Sequence, residues 1–461
     1  MKNFNISKKI AVLLRSGSVA VLAMVMLAAG SVSAQSDGSQ QNKTGRAGTF
    51  AITNARIVTV SGEVIEKGSV LIRDGKIAAV GDSIQIPRDA ENIKGDGMTV
   101  FPGMIDAATN LGLAEISGGA NATMDVQETG TINANARAIK GVNPHSSHVN
   151  VTRINGITTV ISFPTGGLIS GQAALINLNG STQDEMAVVP NAGLIVNFPR
   201  VSTGRRFGFG GGGAPTDFNT ALRRRDEQLD VLKKLFEAAK NYQKARAAYE
   251  ADKSLPYTAV DAQLDALVPY VTGEKPIFFT AEREIDIKGV AKFVADQKLK
   301  GIIIGGQEAW KAADDLKRND IAVIFTNIYS LPTSEDYPYD YYFAAPGKMQ
   351  SAGIKFAVST GEGGGEVRDL PYQAGIAGAF GLTPEQALRS VTLNPAEILG
   401  VADKLGSIEV GKIANVVVAD GDILDPRTKI QHMFIGGRLI PLTSRHTELF
   451  DSFKDRTAIP K

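Results

Sequence analysis

Between residues 101 and 358 the chain carries eight short apolar runs: Phe101 to Ala107, Ile157 to Phe163, Ala173 to Leu178, Gly193 to Phe198, Pro276 to Thr280, Gly301 to Ile304, Ile321 to Thr326 and Ile354 to Val358. Each is long enough for one buried strand and too short for a buried helix. Helical patterns at Ile287 to Gln297 and Glu308 to Arg318 separate the later runs, as parallel strands demand, because their connections must cross over the sheet. The expected fold class is therefore α/β, a (β/α)8 barrel. The connection Pro164 to Gly171 is too short for a helix, so part of the barrel is expected to be irregular.

Shorter β runs flank this block. Ala51 to Val60 is one, and Ser69 to Arg73 faces Lys76 to Val80 across Asp74-Gly75, a type I′ hairpin signal. After the block come Ala414 to Ala419 and His432 to Ile435, the latter turning at Gly436-Gly437 into Arg438 to Ile440. At the start, Lys2, Lys8, Lys9 and Arg15 precede the uncharged run Val19 to Ala29, which ends in Ser31-Val32-Ser33-Ala34. This reads as a signal peptide over 1–34, cut after Ala34, and the run is shorter than the roughly 20 residues of a membrane span. The expectation is an exported protein, periplasmic or secreted, with no span left after cleavage. Residues 35–48 read as a flexible linker and 443–461 as a tail. A charged helical insertion over 216–253 has a heptad-like series, Leu222, Leu229, Leu232 and Phe236, and is expected to form a solvated helical hairpin on the barrel, entered through the glycine-rich loop Gly204 to Gly213.

The formal net charge is +1 with both signs interspersed, which points away from nucleic acid as a partner. The absence of cysteine excludes disulfides, a zinc-thiolate site and a cysteine nucleophile. Of the four histidines, His432 and His446 lie near the C-terminus, leaving His145 and His148 for the barrel.

The phrase Phe101-Pro102-Gly103-Met104-Ile105-Asp106 resembles the first barrel strand of the amidohydrolase superfamily, nearest its imidazolonepropionase-like branch. PIFFTAERE (276–284), FAVSTGEGGGEVRDLPYQAG (356–375) and LGSIEVGK (405–412) extend the likeness. The resemblance implies a barrel over 101–400, with a small appended β-sandwich built from 49–100 and 401–442. It also implies hydrolysis of C–N bonds other than peptide bonds, such as cyclic amides. In that family the first strand continues Asp-x-His-x-His, and the histidines hold a divalent metal with ligands from the fourth, fifth, sixth and eighth strands. The matching positions here are Ala108, Asn110, near Asn197, Thr280, near Gly305 and Gly361. None is a histidine, lysine or acid, so no metal or other cofactor is expected. Zinc or another divalent ion enters only if an unorthodox set, such as the pair His145 and His148, replaces them. Asn415 stands where the family carries aspartate.

Carboxylates remain near the expected mouth of the barrel: Asp106, Glu115, Glu282, Glu284, Glu362, Glu366 and Asp369. Asp106 and Glu282 are the candidates for metal-free acid/base work. Asn110, Thr280 and Glu362 are candidate ligand-binding residues. Ser170 and Gln172 join them because Pro164 to Gln172 resembles a segment of exported members placed where barrel loops meet a ligand. Ser359 and Thr360 have no histidine in sequence context to activate them, and neither glycine-rich loop matches a phosphate-binding fingerprint. Three readings stay open. One is a degenerate homologue that binds an amide-like small molecule, or pairs with an active homologue or with itself. The second is an active hydrolase using carboxylates or an unorthodox metal. The third is a structural protein acting through the helical insertion.

Overall fold

Both ends of the chain feed a single eight-stranded sheet. In the computed structural model, which describes residues 44–116, 123–203, 216–361 and 363–455, its strands are β1 (Phe50–Ile57), β2 (Ile65–Arg73), β3 (Lys76–Gly81), β4 (Glu91–Lys94), β5 (Thr99–Pro102), β14 (Val416–Ala419), β15 (Ile430–Ile435) and β16 (Arg438–Leu439). They lie in the order β16-β15-β14-β5-β1-β2-β3, with β4 beside β1. The expected signal peptide, the loop Gly204 to Gly213 and Glu362 fall outside the described residues. The Asp74-Gly75 turn holds both residues at positive φ, 51° and 78°, and Gly436-Gly437 does the same at 59° and 71°. That is the I′ geometry whose twist matches paired strands. Phe50 and Phe434, from opposite ends of the chain, pack with ring centroids 5.1 Å apart in this sheet's core.

The second sheet holds β6 (Met104–Thr109), β7 (Ile157–Ser162), β8 (Ile169–Asn177), β9 (Ala187–Asn197), β10 (Ile277–Ala281), β11 (Gly301–Gly305), β12 (Ala322–Phe325) and β13 (Phe356–Val358), neighbours in chain order. Alternate side chains face inward, Ile161, Ile195, Phe278, Ile302, Ile304 and Ile324 among them, into one apolar cluster. Their neighbours Val160, Leu194, Phe279, Ile303 and Val323 pack outward against helices. This two-sided burial of a nearly closed sheet is the barrel. Its irregular part lies where the short connection placed it: β7 with β8 and β8 with β9 run antiparallel, while the other pairs are parallel.

Two expectations need correction. The run Phe101 to Ala107 is two strands, because Pro102 lacks an amide hydrogen and Gly103 turns the chain. Phe101 belongs to β5, paired with Val417 of β14, and the barrel begins at Met104. The span Glu308 to Arg318 is a 3-10 turn, Ala309–Ala312, leading into a short helix, Ala313–Arg318. The insertion is one 34-residue helix, Phe218–Ala251, paired with a shorter one, Ala262–Val271. Leu232, Phe236, Ala239 and Tyr242 are its buried stripe, with the remaining faces largely charged and wet.

Asn415 turns out to suit its place. Its Nδ2 donates to Thr159 Oγ1 (3.0 Å) and Asn177 Oδ1 (2.8 Å) on the barrel, and its Oδ1 accepts from Gly436 N (2.8 Å) on the end sheet. An ionised aspartate has no donor for the barrel side of this bridge. Gly103 sets the same junction: a Cβ there would fall 2.2 Å from Thr158 Oγ1 and Cγ2. Gly103→Ala should therefore destabilise the fold by about 1–3 kcal/mol, read as a lowered midpoint in urea unfolding, with Thr158→Ala in the same chain restoring part of the loss.

Candidate functional site

Around the barrel, hydrogen-bonded pairing runs from β6 to β13 and then stops, for those two strands share no ladder. Side chains close the gap. Asp106 is fully buried, and its carboxylate accepts from Ser359 Oγ, from Thr360 Oγ1 (2.5 Å) and from Thr360 N (3.3 Å), just past the end of β13. Ala108 N adds a longer contact at 3.4 Å. Burial pushes the Asp106 pKa up to about 6, and the hydroxyl and amide donors hold it from rising further. Asp106 does not share a face with Ala108 as simple alternation implies. Asp106 pairs with Val160 and Thr109 with Ser162, so β6 carries one residue more than β7 over that stretch, and alternation breaks there. Ala107 and Ala108 both enter the inner apolar cluster, and the carboxylate turns to the last strand. With its oxygens committed inside the protein, Asp106 is built to hold the barrel shut.

Across the mouth, Asn197 at the end of β9 and Thr280 of β10 stand in register. Thr280 Oγ1 donates to Asn197 Oδ1 (3.1 Å). Asn197 Nδ2 donates to Gly166 O (3.2 Å), Gly167 O (2.9 Å) and Ser170 Oγ (3.0 Å), and Ser170 in turn donates to Gly166 O (2.7 Å). This network ties the tight Gly166-Gly167 turn, at φ 82° and 66°, to the parallel half of the barrel. Ser170 and Gln172 are not loop residues; they sit inside β8. Gln172 Nε2 donates to Ala134 O (2.9 Å), which turns it away from the mouth.

Asn197 and Thr280 line a cavity of about 360 Å³ together with Phe198, Arg200 and Glu282. Glu282 Oε2 is buried there without a hydrogen-bond partner. Burial pushes its pKa up to about 7; the Arg200 guanidinium opposes that rise and the Asp286 carboxylate adds to it. The fold makes room for this acid through Gly305, where a Cβ would lie 2.6 Å from Glu282 Oε1. A ligand-bearing side chain at the sixth-strand position and Glu282 in this pose exclude each other. At the eighth-strand position, Gly361 is held at φ 71° with Thr326 packed where a Cβ would go.

Asn110 lies apart from this pocket. Its Nδ2 donates to Phe163 O (2.6 Å), and it faces a larger cavity, about 840 Å³, whose walls include Glu115, His148, Glu366 and Asp369. Glu115 is spent on Ser146 Oγ (2.9 Å) and Asn143 Nδ2 (3.2 Å), and His148 Nε2 lies 2.8 Å from Glu115 O. His145 is exposed and Glu284 pairs with Lys288 on the surface. Among the described residues no three His, Cys, Asp or Glu side chains gather closely enough to hold a metal ion. The positions the resemblance marks for ligands offer two amides, a hydroxyl, a methyl and two glycines, so they do not fit a divalent ion that draws on imidazole and carboxylate. Sequence reading undervalued Asn197, treated only as a vacant ligand position, and did not weigh Arg200 or Phe198. The signal for Asn197 was its place at the same strand end as Thr280.

Residues 300–440 match the Amidohydrolase family. The chain is 24% identical over 415 residues to an imidazolonepropionase of Mesorhizobium japonicum, covering 82% of this chain and 93% of that protein. It is 25% identical over 392 residues to an imidazolonepropionase of Sphingopyxis alaskensis, covering 80% and 91% respectively. Among solved structures it is similar to an amidohydrolase from Thermotoga maritima, with a TM-score of 0.75, 25% identity, and coverage of 86% of this chain and all of that one.

Two outcomes test the site's physics. Thr360→Val should cost about 1–3 kcal/mol of stability by leaving Asp106 short of donors, measured by urea unfolding. Glu282 has a folded pKa raised above its unfolded value, so its contribution is full below about pH 4.5 and is lost as pH rises through about 7. Glu282→Gln should flatten the fall of unfolding free energy across that window by on the order of 2 kcal/mol relative to the native chain.

Proposed function

We propose that this chain, which belongs to the amidohydrolase superfamily on its imidazolonepropionase-like side, binds an amide-like small molecule at the barrel mouth and does not hydrolyse it through a metal. The lineage is one of C–N bond hydrolases. The observation that carries the reading is Asn197: the position marked for a fourth-strand ligand is a neutral amide bonded to Gly166, Gly167, Ser170 and Thr280. That network supports a fixed wall of dipoles beside a pocket, and such a wall recognises an amide by hydrogen bonding. Thr280 Oγ1 keeps acceptor capacity toward the pocket, and a protonated Glu282 offers a donor to a carbonyl. The first segment supports export, which would place this binding outside the cytoplasm.

Glu282 favours a second reading. A carboxyl group with a pKa of about 7 in a pocket is suited to general acid work near neutrality, so a metal-free hydrolase of a cyclic amide is the alternative. The two are separated by one set of measurements on the mature protein, incubated with zinc or manganese and then desalted. Elemental analysis should find far less than one equivalent of metal, whereas retention of about one equivalent would overturn the reading. Calorimetric titration with 2-pyrrolidinone should show binding that Thr280→Val weakens about tenfold, with no ring-opened product. Ring opening in metal-free buffer that Glu282→Gln abolishes would establish the alternative instead.

A further inference from the structure

The pocket over Thr280 and Glu282 is not isolated. It shares Phe198 and Asp286 with a second cavity of about 420 Å³ that runs between the insertion helix Phe218–Ala251 and the barrel helix Glu284–Gln297. Both volumes fall within the range of small-molecule sites. The second cavity is walled by Leu222 and Leu229 on one helix and by Ile285 and Phe293 on the other. At its rim Phe218 is 61% exposed and Ile285 69% exposed, apolar surface that nothing among the described residues covers.

The dividing wall is built with care. Phe198 meets Phe279 and Phe293 edge-on, with centroids 6.1 Å away in each case. It lies against Gly289, where a Cβ would come within 3.0 Å of its ring. Glycine weakens a helix interior, and here it lets the ring sit between the two cavities. The described cations on the groove each have an acidic partner: Arg225 with Asp226 (2.8 Å), Lys292 with Asp296 (3.0 Å), Arg283 with Asp286 (2.8 Å) and, at longer range, Lys233 with Asp230 (3.9 Å). Their stems can cover an apolar guest, and among the described residues no unpaired cation asks for an anion at its far end.

We propose that one ligand spans both cavities: an amide whose polar head rests at Asn197, Thr280 and Glu282, and whose uncharged hydrocarbon tail passes Phe198 into the groove between the two helices. This rests on the reading that the mouth binds an amide-like molecule, and it adds the class, an amide bearing a long apolar substituent. It also gives the insertion a purpose, since Leu222 and Leu229 supply one wall of the tail's channel.

The test compares 2-pyrrolidinone with N-dodecyl-2-pyrrolidinone, the latter kept below its micelle concentration, by calorimetry on the full mature chain. The tailed compound should bind at least about 100-fold tighter, since each buried methylene adds to affinity. That ratio should collapse to about threefold or less in Leu229→Glu and in Leu222→Glu, each of which puts a charge in the channel. Both are only half-buried on the insertion helix, so their substitution does not empty the core. Equal affinity for the two compounds would overturn the spanning ligand and leave the binding reading of the mouth standing. Tight binding of the tailed compound that Thr280→Val leaves unchanged would show the groove acting alone and would also overturn it. Binding of neither compound would remove both readings together.

Discussion

The carboxylate of Asp106 is the contact on which the architecture turns. Seven of the barrel's joints are ladders of backbone hydrogen bonds; the remaining one is a clasp in which Ser359 and Thr360, beyond the short strand Phe356–Val358, donate to a buried acid on the first strand. A buried carboxylate is costly unless its lone pairs are used, and here two hydroxyls and two backbone amides meet to use them. The start of the first strand also bonds outside the barrel ladders, since Ile105 N donates to Val391 O (2.8 Å), between the helices Pro384–Ser390 and Leu393–Ile398. The closing edge is therefore held by individually placed groups, and losing one of them cannot be shared along a ladder.

The mouth above that clasp follows from the same economy of donors. Where the resemblance leads one to look for histidines and acids, the chain has put groups that satisfy one another: Asn110 with Phe163, Asn197 with Thr280 and Ser170. The two glycines contribute by absence. Gly305 vacates the space that Glu282 enters, and Gly361 vacates the space that Thr326 enters. Each such substitution would be damaging by itself in a metal site; together they leave a mouth whose charged groups are Glu282, Arg200 and Asp286.

Much of the fold was legible in the sequence because it rests on period and punctuation. Each of the eight apolar runs marks a barrel strand, though β8 and β9 begin well before theirs, at Ile169 and Ala187, and both glycine-marked hairpins formed as their dipeptides required. The break at Pro102-Gly103 was readable too, although the apolar run continues through it. The site was less legible, for reasons of geometry. Ser170 and Gln172 differ by two residues on one strand, yet only Ser170 reaches the mouth network, because an irregular register along β8 and β9 sends Gln172 to Ala134. Simple alternation would put Asp106 and Ala108 on one face, but β6 carries one residue more than β7 there, which composition does not show. No local signal pairs Glu282 with Gly305, which are adjacent only once two parallel strands lie side by side.

Asp106 and Glu282 show why a raised pKa does not by itself mark a working acid. Burial lifts both, to about 6 and about 7, and on that measure they are alike. Hydrogen-bond accounting separates them. Asp106 has its oxygens engaged by the protein, and a molecule approaching it would have to displace the groups that close the barrel. Glu282 has an oxygen with no partner, in a cavity with an amide, a hydroxyl and a guanidinium. An unspent polar atom buried in a folded chain is destabilising, and the fold tolerates it at this place while satisfying nearly everything around it. On the binding reading proposed above, that imbalance is kept for a guest: the free energy withheld from folding at Glu282 would be recovered when a ligand supplies the missing partner.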